Sequence, residues 1–108
     1  MNRTISPKDL KPLIEQKSIL LLDVRRKNDL DADRAKLPGA EWRNPEQAVE
    51  WSKHLPKDKE VVIYCVRGGS VSNSVLDLLL GQGLKARFVE GGIEAWKAAG
   101  GATVEQQL

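Results

Sequence analysis

Two continuous apolar runs constrain the fold of this chain more than any other feature of the sequence. Residues 19–24 begin Ile-Leu-Leu-Leu, and residues 61–65 read Val-Val-Ile-Tyr-Cys. Runs of this length without polar alternation are typical of strands that are buried on both faces, and such strands occur mainly in parallel sheets. The sequence therefore predicts a parallel sheet whose two faces are covered by helices.

Helical and strand patterns alternate along the rest of the chain. Ser6 is suited to cap a helix over residues 7–16, and apolar side chains at helical spacing predict another helix from Val71 to residue 81 or 83. We also expect strands near residues 3–5, 40–43 and 86–90, and helices over 27–34, from 45 to about 53, and over 93–99. Residues 100–108 give no strong signal. This alternation indicates an α/β fold.

Composition narrows the functional classes. With 108 residues the chain fits one domain, and its net charge of +2, without a run of like charges, gives no electrostatic reason to expect nucleic acid as a partner. No apolar stretch is long enough for a membrane span. A single cysteine excludes an internal disulfide and a Cys-rich zinc site, so we expect a cytoplasmic protein with a reduced thiol, no metal and no cofactor.

Cys65 is the strongest candidate for a reactive residue. It ends a predicted parallel strand, and ligands of open parallel sheets bind beyond the carboxyl ends of the strands. Gly68 and Gly69 follow before the next helix, and glycines let backbone N–H groups converge on one point. The helix N-terminus adds its own unpaired N–H groups, so an anion such as a thiolate is favoured there. We interpret Cys65 as a nucleophile rather than a small buried apolar residue.

The neighbouring residues limit the chemistry. His54, the only histidine, is expected at the surface, so a cysteine protease would lack its base. A Cys-based phosphatase would have arginine where Val71 stands, which disfavours a phosphatase or arsenate reductase of related fold. Arg67 either supports the Cys65 thiolate or binds an anionic substrate. A thiolate in an anion-binding loop without base or phosphate clamp suits the transfer of sulfane sulfur through a persulfide on Cys65.

These motifs resemble those of the rhodanese-like sulfurtransferases. The matching segments are Leu22-Asp23-Val24-Arg25, Leu37-Pro38-Gly39-Ala40, residues 61–70, and Glu90-Gly91-Gly92-Ile93-Glu94-Ala95-Trp96. The resemblance covers about residues 4–100, followed by a short C-terminal tail. It implies one rhodanese domain over residues 1–108, built as an α/β/α sandwich with a five-stranded parallel sheet.

The resemblance also implies a set of site residues. Cys65 would form the persulfide, and Arg67 would bind thiosulfate or another anionic donor. Ser70 would either donate a hydrogen bond or cap the helix that starts at Val71. The expected substrate-binding residues of this loop are Val66, Arg67, Gly68, Gly69, Ser70 and Val71. Arg67 is the only cation in the loop, because Ser70 lacks the arginine that usually stands beside it in the family.

Several partners and roles stay open. The implied partners are a small anionic sulfur donor and a thiol, cyanide or protein acceptor, and the alternative function is a non-enzymatic persulfide carrier or sensor for a partner protein. Asp23 and Arg25 either border the pocket or stabilise the fold. We favour the structural role, with Asp23 capping a turn and Arg25 paired with Asp29 or Asp31. We expect Trp42, Trp51 and Trp96 to be packing residues.

Overall fold

The computed structural model describes residues 3–105, which form a sheet covered by helices on both faces. The elements in chain order are β1 (Thr4–Ile5), α1 (Pro7–Gln16), β2 (Ile19–Asp23), α2 (Lys27–Ala32), β3 (Ala35–Lys36), β4 (Glu41–Trp42), a 3-10 turn (Pro45–Gln47), α3 (Ala48–Ser52), β5 (Glu60–Tyr64), α4 (Ser70–Gly81), β6 (Ala86–Val89), α5 (Gly92–Ala98) and β7 (Val104–Glu105).

Five strands form the main sheet in the order β1-β6-β5-β2-β4, and every neighbouring pair is parallel. In the central pair Leu21 of β2 lies opposite Val62 of β5. The predicted α/β fold with a five-stranded parallel sheet is therefore confirmed. No helix within residues 3–105 is both long enough and apolar enough to cross a membrane.

Side-chain alternation along β5 divides the core into two layers. Val61, Ile63 and Cys65 pack in one cluster with buried residues of α3 and α4. Val62 and Tyr64 pack in the other cluster, with buried residues of α1 and α5. Because side chains of a strand alternate between its faces, the apolar run that predicted this strand supplies both layers of the sandwich.

The structure departs from the sequence-based predictions in several places. The region expected as one helix from residue 45 to about 53 is a 3-10 turn followed by α3, and the strand β3 is not among the predicted strands. The helix expected from Val71 begins one residue earlier, at Ser70, and Gly69 is its N-cap residue. The tail, which gave no signal, contributes β7, which pairs antiparallel with β3. Strands of two residues are too short to show a periodic pattern, so only their long-range pairing reveals them.

Asp23 and Arg25 form a buried ion pair at the carboxyl end of β2. Their side chains are 0% and 1% exposed, and Arg25 Nη2 lies 2.6 Å from Asp23 Oδ2. Burial lowers the pKa of Arg25, but its hydrogen bond to Asp23 and the charge of that carboxylate outweigh this effect and raise the pKa above its ordinary value. The guanidinium also donates to the carbonyl oxygens of Asp33 and Ala35, at 2.9 and 3.0 Å.

Tyr64 extends this network across the sheet. Its hydroxyl donates to Asp23 Oδ2 at 3.1 Å and accepts from the backbone N–H of Leu37 at 3.2 Å. Burial raises the pKa of Tyr64, and the Asp23 charge raises it further, so the phenol stays protonated and able to donate. The structural role that we favoured holds for both residues, and Arg25 in addition lines a cavity beside Cys65, so the alternative that it borders the pocket holds for it as well. The predicted partners of Arg25, Asp29 and Asp31, are wrong. A guanidinium without solvent needs a carboxylate that is equally buried, and among residues 3–105 only Asp23 provides one.

We predict that Arg25→Met destabilises the protein strongly. The substitution leaves the buried Asp23 carboxylate without its counter-charge and the Asp33 and Ala35 carbonyls without their guanidinium donor. Breaking a buried ion pair in this way costs about 3–5 kcal/mol in the free energy of unfolding. Urea denaturation measures the change. The control is Arg87→Met, which removes the half-buried pair between Arg87 and Glu60 and should cost about 1 kcal/mol or less. Equal losses in the two variants would contradict the account.

Candidate active site

Cys65 lies at the base of a cavity at the carboxyl edge of the sheet. It follows β5 directly and is only 5% exposed. The cavity has a volume of about 340 Å³ and is lined by Arg25, Arg26, Asp29, Cys65, Val66, Arg67, Gly69, Ser70 and Val71. A cavity of this size admits a small molecule to the cysteine, while the burial of Cys65 leaves one direction of approach.

The N-terminus of α5 fixes the backbone of the loop between β5 and α4, residues 65–69, which we call the cysteine loop. The Ile93 N–H donates to the carbonyl oxygen of Cys65 at 2.9 Å, and the Glu94 N–H donates to that of Val66 at 3.2 Å. Gly92 makes this approach possible, because a Cβ at its position would lie 2.5 Å from the carbonyl oxygen of Val66. Its φ of +62° also favours glycine. The Gly91-Gly92 turn and the cysteine loop are therefore parts of one unit.

The loop presents backbone donors that no part of the described chain uses. Among residues 3–105, no acceptor takes a hydrogen bond from the backbone N–H groups of residues 66–72, three of which form the first turn of α4. Unpaired N–H groups at a helix N-terminus carry partial positive charge and favour an anion. The predicted anion-binding loop thus has the donors that it requires.

Charged side chains border the cavity from two sides. Arg67 lies on the cysteine loop and donates to the Glu94 carboxylate at 2.8 Å, with 79% of its side chain exposed. Arg26 lies across the cavity, between β2 and α2, and forms no ion pair within residues 3–105. Asp29 of α2 contributes one carboxylate to the lining. Three arginines, Arg25, Arg26 and Arg67, therefore line the cavity, and within residues 3–105 Arg26 alone of the three forms no ion pair.

Ser72 contacts the sulfur from the opposite direction. Its hydroxyl donates to Cys65 Sγ at 2.9 Å, and Ser72 is 0% exposed. It lies in the first turn of α4, on the helix face that packs against the side of the sheet to which Cys65 points. A molecule from solvent can thus reach the Cys65 sulfur through the cavity, while the Ser72 hydroxyl contacts the same sulfur from the core.

Six of the seven site residues expected from the sequence line this cavity: Cys65, Val66, Arg67, Gly69, Ser70 and Val71. Gly68 does not line it but turns the loop at a φ of +71°. Of the two roles weighed for Ser70, capping a helix that starts at Val71 is wrong, because α4 already includes Ser70. The hydrogen-bonding role of Ser70 and the binding roles of the other loop residues stay predictions.

Sequence reasoning missed Arg26, Asp29 and Ser72. Arg26 and Asp29 follow β2, which lies beside β5, so the two carboxyl ends meet at one edge. The adjacency of β2 and β5 would have been the signal for these two residues. Ser72 gave no such signal, because a serine in a helix contacts the sulfur only through the packing of α4 on the sheet.

The histidine and the tryptophans have the positions that the sequence predicted. His54 is exposed. Each tryptophan indole donates to a backbone carbonyl: Trp42 to Arg25, Trp51 to Asn44 and Trp96 to Ala102. Trp96 is also buried in the core. The three rings therefore hold chain segments together.

A parallel α/β/α sandwich with a cysteine loop at the carboxyl edge of its sheet defines a class of small α/β proteins. Within this class the model of the Rhodanese-like domain family matches residues 6–99, and the chain belongs to that family. The thiosulfate sulfurtransferase GlpE of Coxiella burnetii is 31% identical over 99 residues, which cover 91% of this chain and 90% of that protein.

Solved structures show the same fold. A rhodanese-related protein from Thermoplasma volcanium matches with a TM-score of 0.82 and 29% identity, covering 94% of this chain and 97% of its own. A protein from Lactobacillus plantarum matches with a TM-score of 0.84 and 21% identity, covering 95% and 88%. The predicted membership of the rhodanese-like family is therefore confirmed.

We predict that Gly92→Ala displaces the cysteine loop. The added methyl group meets the Cys65 and Val66 carbonyl oxygens, and the positive φ adds about 1–2 kcal/mol of backbone strain. We expect a loss of more than about 2 kcal/mol in urea denaturation and an altered rate of Cys65 alkylation. Gly81→Ala is the matched control, because a Cβ there meets nothing within 4 Å and helix propensity favours alanine. Two variants of equal stability and reactivity would refute this role for Gly92.

Proposed function

We propose that this chain is a sulfurtransferase that moves sulfane sulfur from an anionic donor, such as thiosulfate, to a thiophilic acceptor through a persulfide on Cys65. The observation on which the proposal depends is the position of Cys65, at the base of a cavity beside unpaired backbone N–H groups. The similarity to a thiosulfate sulfurtransferase at 31% identity supports the same reaction.

The reaction balances without a cofactor. The Cys65 thiolate attacks the sulfane sulfur of thiosulfate, the sulfur–sulfur bond of the donor breaks, and sulfite leaves with the electron pair. The persulfide then places its outer sulfur among the loop N–H groups, which stabilise its negative charge. In the second half-reaction a cyanide or thiolate acceptor attacks the outer sulfur, and Cys65 Sγ leaves as a thiolate. No oxidant or base is consumed.

The charge around the cavity suits an anionic donor. Arg67 on the loop and Arg26 across the cavity can approach the sulfonate end of thiosulfate while its sulfane sulfur reaches Cys65. The proposed acceptors are a thiol, cyanide or a protein thiol, since each is a nucleophile for sulfur. The physiological partner and the cytoplasmic location stay predictions.

Intact-mass measurement tests the proposal. After treatment with thiosulfate and removal of the donor, we expect the protein to gain one sulfur atom, and cyanide should remove it. Cys65→Ser should gain none, and because the chain has a single cysteine no other thiol can carry the sulfur. A native protein that never gains sulfur, or a Cys65→Ser variant that does, would overturn the proposal.

One observation favours a second candidate, a persulfide carrier or sensor for a partner protein. Arg67 is already paired with Glu94, so its charge is partly compensated before any donor arrives. Such a protein would load sulfur on Cys65 but turn over slowly with small thiols or cyanide. Steady-state rates with several acceptors separate the two candidates, since rapid turnover excludes the carrier role.

We predict that Glu94→Gln lowers the KM for thiosulfate. Removing the carboxylate leaves Arg67 without its counter-charge, and exposed pairs of this kind are worth up to about 1 kcal/mol, which corresponds to about a fivefold change. Arg26→Gln should raise the same KM while leaving kcat nearly unchanged. The control is Arg34→Gln, because Arg34 is exposed and does not line the cavity. If Arg34→Gln raises the KM as much as Arg26→Gln does, only net charge matters and the assigned positions are wrong.

A further inference from the structure

A buried hydroxyl group is in contact with the atom that reacts in the proposed transfer. Ser72 Oγ lies 2.9 Å from Cys65 Sγ, and the serine is 0% exposed. The Cys65 sulfur is the only hydrogen-bond partner of this hydroxyl within residues 3–105. Ser72 is not part of the cavity lining, so it touches the sulfur without touching a molecule bound in the cavity.

A purely structural role explains this arrangement poorly. Serine is a weaker helix former than alanine, and burying a hydroxyl costs free energy unless it is hydrogen-bonded. A buried serine in a helix commonly bonds the carbonyl four residues earlier, whereas Ser72 donates to sulfur instead. A neutral thiol is a weak acceptor, so this bond would stabilise the fold little. A thiolate is a charged acceptor, and hydrogen bonds to charged groups are about twice as strong as neutral ones.

We propose that Ser72 is a further catalytic residue, whose hydroxyl stabilises negative charge on Cys65 Sγ as the persulfide is unloaded. The inference rests on the proposed sulfur transfer. Charge on Sγ is small while the sulfur carries the persulfide, and it grows when the acceptor takes the outer sulfur. The hydrogen bond is therefore stronger in the transition state of unloading than in the loaded protein.

The step balances without proton transfer. The electron pair of the cyanide or thiolate forms the bond to the outer sulfur, and the pair of the breaking sulfur–sulfur bond stays on Cys65 Sγ. The Ser72 O–H keeps its proton and donates to the leaving sulfur throughout, as it does in the unloaded structure. The acceptor enters through the cavity, while the hydroxyl approaches from α4 on the core side, so the two do not compete.

Rapid-mixing kinetics of Ser72→Ala separate the two half-reactions. We expect the rate of unloading by cyanide to fall about tenfold or more, which is the range for losing a hydrogen bond to a charged group. The thiosulfate concentration that half-saturates the rate of the loading step should change less than twofold, because Ser72 does not reach the cavity. Ser74→Ala is the matched control, since Ser74 is exposed on the same helix and does not contact Cys65. It should unload at the native rate.

A second measurement is independent of sulfur transfer. The alkylation rate of Cys65 by iodoacetamide, followed against pH, should shift its midpoint to higher pH in Ser72→Ala and stay unmoved in Ser74→Ala. Urea denaturation should show that Ser72→Ala is as stable as the native protein. Native rates of unloading together with an unmoved alkylation profile would overturn the role of Ser72. If the native protein never loads sulfur, the proposed function fails, while the alkylation profile still decides whether Ser72 stabilises the thiolate.

Discussion

The buried pair between Asp23 and Arg25 is the interaction on which the carboxyl edge of the sheet depends. A guanidinium without solvent must find acceptors for its N–H groups, and Arg25 finds them in Asp23 and in the carbonyls of Asp33 and Ala35. The pair thereby ties the end of β2 to the segment that follows α2. Tyr64 joins β5 to the same carboxylate. One ion pair thus connects β2, β5 and the segment after α2 at the carboxyl edge of the sheet.

The cysteine loop depends on a second constraint, the close approach of α5. Two carbonyl oxygens of the loop accept hydrogen bonds from the first turn of this helix, and the approach requires glycine at position 92. The carbonyls are used in this way, whereas no acceptor in the described part of the chain, residues 3–105, takes a hydrogen bond from the loop N–H groups, which can therefore bind an anion. The proposed chemistry of Cys65 therefore follows from backbone geometry, with Arg26 and Arg67 adding charge at the entrance.

The sequence predicts those parts of the structure that have local causes. Buried strands such as β5 appear as apolar runs, and α4 appears through helical spacing and the glycines before it. The pairing of β3 with β7 has no local pattern, and neither does the choice of Asp23 over Asp29 or Asp31 as the partner of Arg25. The contact of Ser72 with sulfur likewise arises only when α4 packs on the sheet. Local periodicity thus predicts the sandwich and the loop, and tertiary packing decides which side chains meet.

A single-turnover transfer tests the central claim most directly. Protein treated with thiosulfate and freed of donor by gel filtration is mixed with cyanide, and the thiocyanate formed is compared with the amount of protein. Because Cys65 is the only cysteine, a persulfide on it predicts at most one thiocyanate per chain. The protein should form more thiocyanate only after fresh donor is added. Thiocyanate that forms only while the donor is present, or forms equally in Cys65→Ser, would contradict the account.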